Sequence, residues 1–445
     1  MKKLYIKTQG CQMNFYDSEK MADLLKPLGY EINHNGDDAD LIVINTCHIR
    51  EKAVEKTYSE LGRIRDQAKL RKEKTGKKTI IAVAGCVAQA EGKEIMRRSP
   101  WVDIVVGPQS YQNLPELIAK VDPIEKNKLI NIDFPIIPKF DNLNSALHNR
   151  GPSAFLTIQE GCDKFCSFCV VPYTRGSEYS RPARSILDEA KKLIDTGVKE
   201  ITLLGQNVNA WSALGVDGKY WGLGKLINEL ANIKELEFIR YTTSHPLDMD
   251  MDLIEAHRDN KKLMPYLHLP LQSGSDNILK LMNRKHKVSD YLQIIEKVRK
   301  HIPDIAISGD FIIGFPGEST KDHHDTIKLI KEIKFSQAYS FKYSIRPGTP
   351  AAIFLDQVDE KVKSLRLEEV QNILRAQQFQ FNQKSIESTV KVLVLKKGKK
   401  INQYLGRSPY NQSVFFEHNN DNLIGSIVNI KVLEAYQNSL SGYTL

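Results

Sequence analysis

The sequence predicts an α/β protein in three parts: an N-terminal parallel-sheet α/β domain, a central open barrel of six β/α units, and a small C-terminal β-barrel. Three observations carry this. Apolar runs of strand length alternate with helical periodicity through most of the chain, the pattern of parallel sheets faced by helices. Six such units fill about 200 residues of the middle, fewer than the eight that close a full barrel. After that the pattern changes to short strands and turns, as in small barrels that bind nucleic acid. The expected division is 1–120, a linker at 121–147, 148–378 and 379–445.

In the first part the apolar runs are 4–6, 41–44, 80–83 and 102–106, with helical stretches at 18–28 and 53–70. Cys11, Cys47 and Cys86 follow the first three runs, each three to five residues beyond the expected strand end. In a parallel sheet those ends share one edge, where ligands bind. Three cysteines 36 and 39 residues apart can therefore converge, and a metal site is the preferred reading over three unrelated buried thiols. Residues 121–153 lose periodicity and hold Pro123, Pro135, Pro138 and Pro152, which marks a boundary.

Strand signals resume at 154–159, 200–204, 236–241, 266–269, 305–313 and 338–343, with helices at 185–196, 290–300 and 319–333. A long helix at 359–385 leads to strands at 389–395, 404–406, 413–417 and 426–433. In the last of these Val428, Ile430 and Val432 alternate with Asn429 and Lys431, as in a half-buried strand. Immediately after the first barrel strand comes Gly161-Cys162-Asp163-Lys164-Phe165-Cys166-Ser167-Phe168-Cys169. Its C-x3-C-x2-C spacing lets one loop aim three thiolates at a single centre. No Cys follows Cys169 and the next His is His245, so no fourth ligand lies nearby. Three fixed ligands and one open position suit a metal centre that must bind something else.

The bulk numbers narrow the class. The chain has 445 residues, 41% hydrophobic and 26% charged, ordinary for a globular protein with two or three domains. Six cysteines are too few for a disulfide scaffold of this size and fit a reduced, intracellular chain that keeps its thiols for metal. The first ten residues carry no signal-peptide pattern, and no run of about 18 apolar residues occurs, so no membrane span is expected. The net charge is +9, and residues 384–445 hold eight Lys and Arg against four Asp and Glu. With Lys396-Lys397-Gly398-Lys399-Lys400, Arg407 and the aromatics Tyr404, Tyr410, Phe415 and Phe416, this end favours a phosphate-rich partner. Arg50, Arg63, Arg65 and Arg71 are read as RNA contacts or as a solvated basic helix face, and His323-His324 as a solvated face.

Further segments extend the picture: Thr8-Gln9-Gly10-Cys11-Gln12-Met13-Asn14, Asn45-Thr46-Cys47, Gly85-Cys86-Val87-Ala88-Gln89, and the stretch from Val170 to Pro182. Together they make the chain resemble the radical S-adenosylmethionine (SAM) methylthiotransferases over nearly its whole length. Gly406-Arg407-Ser408 and Val414-Phe415-Phe416 resemble the branch of that family acting on tRNA. The resemblance implies an N-terminal cluster domain, a partial (β/α)6 radical-SAM barrel and a C-terminal TRAM domain. It implies two [4Fe–4S] clusters, on Cys162/Cys166/Cys169 and on Cys11/Cys47/Cys86, with SAM as methyl donor and as radical source. The implied reaction is 2-methylthiolation of N6-(dimethylallyl)adenosine beside the anticodon. Carbon 2 of adenine carries an unactivated C–H that acids and bases cannot readily replace, so cofactors must supply the reactivity.

By the same resemblance Phe168 lies beside SAM's adenine, and Gly205, Gln206 and Asn207 line the place where its amino group is contacted. No catalytic residue is singled out beyond the cluster ligands. The implied partners are a tRNA carrying N6-(dimethylallyl)adenosine, an electron donor and a sulfur source, for a monomer in the cytoplasm. Two alternatives remain: the same chemistry on a ribosomal protein side chain, and a non-catalytic iron–sulfur RNA-binding protein with a fourth ligand at each site.

Overall fold

Strands buried on both faces read as continuous apolar runs, and the N-terminal sheet is made of them. The computed structural model describes residues 1–47, 51–121, 128–135, 139–142 and 150–445. His48, Arg50 and residues 122–127, 136–138 and 143–149 of the expected linker lie outside the described residues. The chain divides into two units: residues 1–148, 160–163 and 170–178, and residues 149–159, 164–169 and 179–445. No described helix is long and apolar enough to cross a membrane.

The first unit holds six parallel strands: β1 (Lys2–Gln9), β2 (Tyr30–Ile32), β3 (Leu41–Thr46), β4 (Ile80–Gly85), β5 (Ile104–Val106) and β6 (Leu129–Asn131), in the order β2-β1-β3-β4-β5-β6. Leu41 and Val43 enter one core with Leu4, Ala82 and Ile104; Ile42 and Ile44 enter the other with Ile81, Val83 and Val105. The order reverses between β1 and β3, the switch point beside which open α/β sheets place ligands.

Strands β1, β3 and β4 run further than the apolar runs suggest. Thr8-Gln9, Asn45-Thr46 and Ala84-Gly85 lack large apolar side chains, yet their backbones continue the ladder. Cys11, Cys47 and Cys86 consequently lie one or two residues past the strands, not three to five. Strands β2 and β6 escaped the sequence because three residues carry too little pattern; β6 falls in the stretch read as linker. Arg71 is buried against Asp40 at 2.5 Å, so it is neither solvated nor free for RNA.

The second unit contains β7 (Ser153–Thr157), β8 (Glu200–Leu204) and β9 (Phe238–Tyr241) in one parallel sheet, and β10 (Tyr266–His268), β11 (Ala306–Ile313) and β12 (Gln337–Lys342) in another. A parallel bridge between Ile239 and Leu263 joins the two, giving six strands in sequence order, an open partial barrel. Helices Ala183–Asp195, Val288–His301 and Thr320–Ile333 occupy the expected places. His323, expected on a solvated face, is buried with Nε2 2.9 Å from the Glu369 carboxylate.

After helix Glu360–Gln383, strands β13 (Thr389–Lys397), β14 (Gln403–Arg407), β15 (Ser413–Glu417), β16 (Ile427–Ala435) and β17 (Ser439–Thr444) close a barrel in the order β13-β14-β15-β17-β16. Tyr404 and Phe416 stack inside it, 5.8 Å between ring centroids, so neither is offered to a nucleobase. Arg407 is also committed: its guanidinium meets buried Glu200 at 2.6 Å, and Arg240 meets the same carboxylate at 2.7 Å. Arg240 continues to the carbonyls of Ser408 and Pro409 at 2.7 and 2.8 Å. One carboxylate at the start of β8 thus anchors the small barrel.

Burial raises the Glu200 pKa, but Arg240 and Arg407 outweigh it and the net shift is downward. A carboxyl lowered on folding stabilises fully above its unfolded pKa, and that contribution is lost as pH falls through the lower folded value. Glu200→Gln should cost about 3 kcal/mol, the scale for breaking a buried ion pair. It should also flatten the acid side of the stability profile. Urea midpoints measured from pH 2 to 7 check this, and equal midpoints for variant and parent would reject the anchoring role.

Candidate functional site

Parallel pairing places Thr46 opposite Gln9 on one side and opposite Gly85 on the other. The next residues of three separate connections therefore emerge together, and they carry Cys11, Cys47 and Cys86. The approach is close enough to need glycine. A side chain at Gly10 (φ +128°) would meet Cys47 Cβ at 2.4 Å, and one at Gly85 (φ +86°) would meet Asn45 Oδ1 at 2.3 Å. Beneath the thiols, Asn14 donates to Asn45 Oδ1 at 3.1 Å, and Asn45 donates to the Asn14 carbonyl at 2.8 Å and Ser18 Oγ at 2.9 Å. Cys11 Sγ donates to Asn14 Oδ1 at 3.1 Å.

Cys47 shares hydrogen bonds with both other thiols. That contact, against the opposing effect of burial, lowers Cys11 to about 7 and Cys86 to about 6. Cys47, hydrogen-bonded to Cys11 and Cys86 and buried as well, is pushed up. The Arg175 guanidinium also hydrogen-bonds Cys86. Arg175 is itself buried with Asp17 at 2.7 Å and Glu160 at 2.5 Å, and Lys139 Nζ reaches Glu160 at 2.8 Å and the Pro108 carbonyl at 2.9 Å. Burial opposes the charge on Arg175; Asp17, Cys86, Glu160 and Cys11 overcome that and raise its pKa.

The C-x3-C-x2-C loop is pinned from several sides. Gly161 (φ +76°) is obligatory, since a Cβ there would lie 1.9 Å from the Ser177 carbonyl. The Cys162 amide donates to the Gly176 carbonyl at 3.3 Å and the Cys169 amide to the Cys166 carbonyl at 3.0 Å. Phe165 takes positive φ, and its carbonyl accepts from Asn283 Nδ2 at 2.8 Å. Ser167 bonds the Met282 carbonyl through its amide at 3.0 Å and the Leu281 carbonyl through its hydroxyl at 2.8 Å. Arg284 donates to Cys166 Sγ at 3.7 Å. Phe168 is half-buried, edge-on to Phe315 at 6.4 Å.

Gly205, Gln206 and Asn207 follow β8 directly. Gln159 Oε1 accepts from the amides of Gln206 (2.8 Å) and Asn207 (3.0 Å), and Gly205 has no room for a Cβ beside it. Asp248 bridges this turn to the cysteine loop, accepting from Asn207 Nδ2 at 2.9 Å and Lys164 Nζ at 2.8 Å. Asn207 Oδ1 is buried with no partner. An orphaned acceptor at that point fits a ligand carrying an N–H donor, such as an ammonium.

The donor sets fit the soft thiolate ligation of iron–sulfur clusters: three cysteines each, one group with two thiols biased toward thiolate, each group beside a guanidinium. The N-terminal thiols touch one another. Among the described residues no three Cys, His, Asp or Glu side chains stand spread as ligands around a single ion.

Sequence reasoning missed Asp17, Lys139, Asp248 and Arg284. Arg175 was seen only as part of a motif. Buried charge has no local signature, and Lys139 lay in a stretch read as linker.

Comparison with known proteins gives three matching family models: "Uncharacterized protein family UPF0004" over residues 3–107, the radical SAM superfamily over 156–330, and the TRAM domain over 383–445. Curated relatives named tRNA-2-methylthio-N(6)-dimethylallyladenosine synthase match end to end. The one from Rickettsia felis is 56% identical, covering 99% of both chains. That from the Wolbachia of Brugia malayi is 56% identical, covering 100% of both. Among solved structures, the radical SAM methyltransferase TsrM from Kitasatospora setae aligns with TM-score 0.58 at 12% identity, over 79% of this chain and 75% of that one. The cobalamin-dependent radical enzyme OxsB aligns with TM-score 0.51 at 12% identity, over 84% and 56%. At such identities these two show the fold alone.

Gly85→Ala should lower the iron held by the N-terminal thiols while sparing that held by the C-x3-C-x2-C loop. Gly29→Ala is the control, because Gly29 shares a positive φ but has no atom within 4 Å of the added Cβ. Iron and sulfide per chain after anaerobic reconstitution decide it; equal losses in both variants would mean backbone strain, not crowding at the thiols, is responsible.

Proposed function

The chain belongs to the family of tRNA-2-methylthio-N(6)-dimethylallyladenosine synthases, and on that premise we propose how its own residues serve the reaction. It is a radical-SAM tRNA methylthiotransferase, adding a methylthio group at carbon 2 of N6-(dimethylallyl)adenosine. Its cofactors are SAM and [4Fe–4S] clusters. When bound, these groups supply the radical that opens the C–H bond and the sulfur that replaces the hydrogen. The relatives are named for a tRNA reaction, which favours this over the ribosomal-protein alternative and over a non-catalytic iron–sulfur protein.

The observation that carries the reading is the pairing of two three-cysteine sets: one local in sequence, one assembled by strand register. Cys162, Cys166 and Cys169 hold the cluster that binds SAM. Asn207, its Oδ1 unpartnered, accepts from SAM's ammonium, in a turn whose Gly205 packs against Gln159 and whose Gln206 stands beside it. Phe168, half-buried between the last two cysteines, is the aromatic ring placed to lie beside the adenine. Cys11, Cys47 and Cys86 hold the cluster on the sulfur side, oriented by the Asn14–Asn45–Ser18 network and held electrically by Arg175.

Residues 1–120 serve as the cluster domain, joined by β6 and Lys139 from the stretch 121–147 read as linker, with 148–378 as the radical core and 379–445 as the RNA-gripping barrel. On that barrel Lys396, Lys399 and Lys400 are exposed and suited to phosphate. An external electron donor and a sulfur source complete the cycle, for a monomer working in the cytoplasm.

Anaerobic reconstitution should load about eight irons per chain, as two four-iron clusters. The loaded protein should add a methylthio group to tRNA bearing N6-(dimethylallyl)adenosine, read by mass spectrometry of digested nucleosides. Cys166→Ala should abolish 5′-deoxyadenosine release. Cys47→Ala should retain part of it yet stop thiolation. Equal loss of both activities in the two variants would overturn the separate roles.

A further inference from the structure

Arg284 is a buried cation without a counter-charge. It is 8% exposed, and its guanidinium donates to Cys166 Sγ at 3.7 Å and to the Pro270 carbonyl at 2.6 Å, while Nε has no partner. Among the described residues no carboxylate forms an ion pair with it. Its ring neighbours add nothing negative. His245 and His286 lie 5.6 Å apart, and burial first, then the Arg284 charge, pushes them down to about 2 and about 4, so both are neutral near pH 7. Neither ring nitrogen of His286 has a partner. An isolated buried charge costs several kcal/mol unless an anion joins it. The group whose sulfur it already touches is the natural anion, because thiolate-bound iron–sulfur clusters are negative and become more so on reduction.

We propose that Arg284 is a positioning residue of the radical-SAM site: through Cys166 it supplies the counter-charge for the bound cluster and raises that cluster's reduction potential. This rests on the ligand assignment made above. The cation favours the more negative, reduced state, so removing it makes the one-electron reduction harder.

The test uses the full chain carrying Cys11→Ala, Cys47→Ala and Cys86→Ala, reconstituted so that only the loop cluster is present. It is titrated with dithionite and followed by electron paramagnetic resonance without SAM. Arg284→Met should shift the reduced-to-oxidised ratio at fixed potential by at least about tenfold toward oxidised, about 59 mV for one electron. Arg284→Lys should shift it less, keeping the charge but losing the planar fork. Before reconstitution, Arg284→Met should raise the thermal midpoint, since an unpaired buried charge has gone; a merely structural arginine would lower it.

An unmoved potential in a variant that holds iron would overturn the proposal. SAM affinity of the same variants is measured separately, and a loss confined to it would also overturn the proposal, assigning the charge to SAM's carboxylate instead. Should Arg284→Met take up no iron, Arg284→Gln reads the same shift, and the apo midpoint decides if neither loads. Absence of iron from the parent triple variant would instead sink the ligand assignment, and this inference with it.

Discussion

The N-terminal site depends on the phase of the parallel ladder. Thr46 pairs with Gln9 and with Gly85, so three connections leave the sheet at one level. That phase is enforced from both sides. Strands β1, β3, β4 and β5 send alternate side chains into two buried cores, and slipping one of them by a single residue would exchange the sets that fit each core. Convergence of Cys11, Cys47 and Cys86 is then a consequence of hydrophobic packing, and no separate force has to gather the thiols. The glycines before two of the cysteines follow from the same closeness, because adjacent strands leave no volume for a Cβ at Gly10 or Gly85.

Around this frame the protein buries charge at two places for different ends. Glu200, Arg240 and Arg407 lie at the start of β8, and barrel strands conventionally keep that end for stability; there the ion pairs attach the C-terminal barrel. Asp17, Glu160, Lys139 and Arg175 form a balanced group of two anions and two cations beside the N-terminal thiols. Buried pairs of this kind seldom add net stability over apolar packing. What they supply here is a guanidinium held at Cys86 by two carboxylates, which an apolar core could not provide.

Much of this was legible in the sequence. All six barrel strands and four of the five C-terminal strands stand close to their expected places. The cysteine sets were legible for opposite reasons, one by local spacing and one by its recurrence after strands. What was hidden shares one property: it depends on contacts distant in sequence. Asp17 and Arg175 are 158 positions apart, Cys166 and Arg284 are 118 apart, and Glu200 and Arg407 are 207 apart. The basic C-terminal composition was legible but its use was not. Arg407 turns inward to Glu200, and Tyr404 and Phe416 fill the barrel, so composition overstated the RNA-facing surface.

Arg175 and Arg284, guanidiniums that both touch cysteine sulfur, are not equivalent, and the difference lies in their company. Arg175 sits between Asp17 and Glu160, so its charge is satisfied whether or not anything binds the neighbouring thiols. Arg284 has a sulfur, one backbone carbonyl and two neutral imidazoles, so its charge is unsatisfied until an anion arrives. The N-terminal site is therefore electrically complete before loading, and its thiols are held in mutual hydrogen bonds. On the proposal above, the loop site holds a charge that cluster binding would relieve, and this would couple occupancy there to the stability of the segment from Leu281 to Arg284. Because that segment also clamps Phe165 and Ser167, the proposed charge relief would be felt by the scaffold of the loop itself and not by the N-terminal sheet.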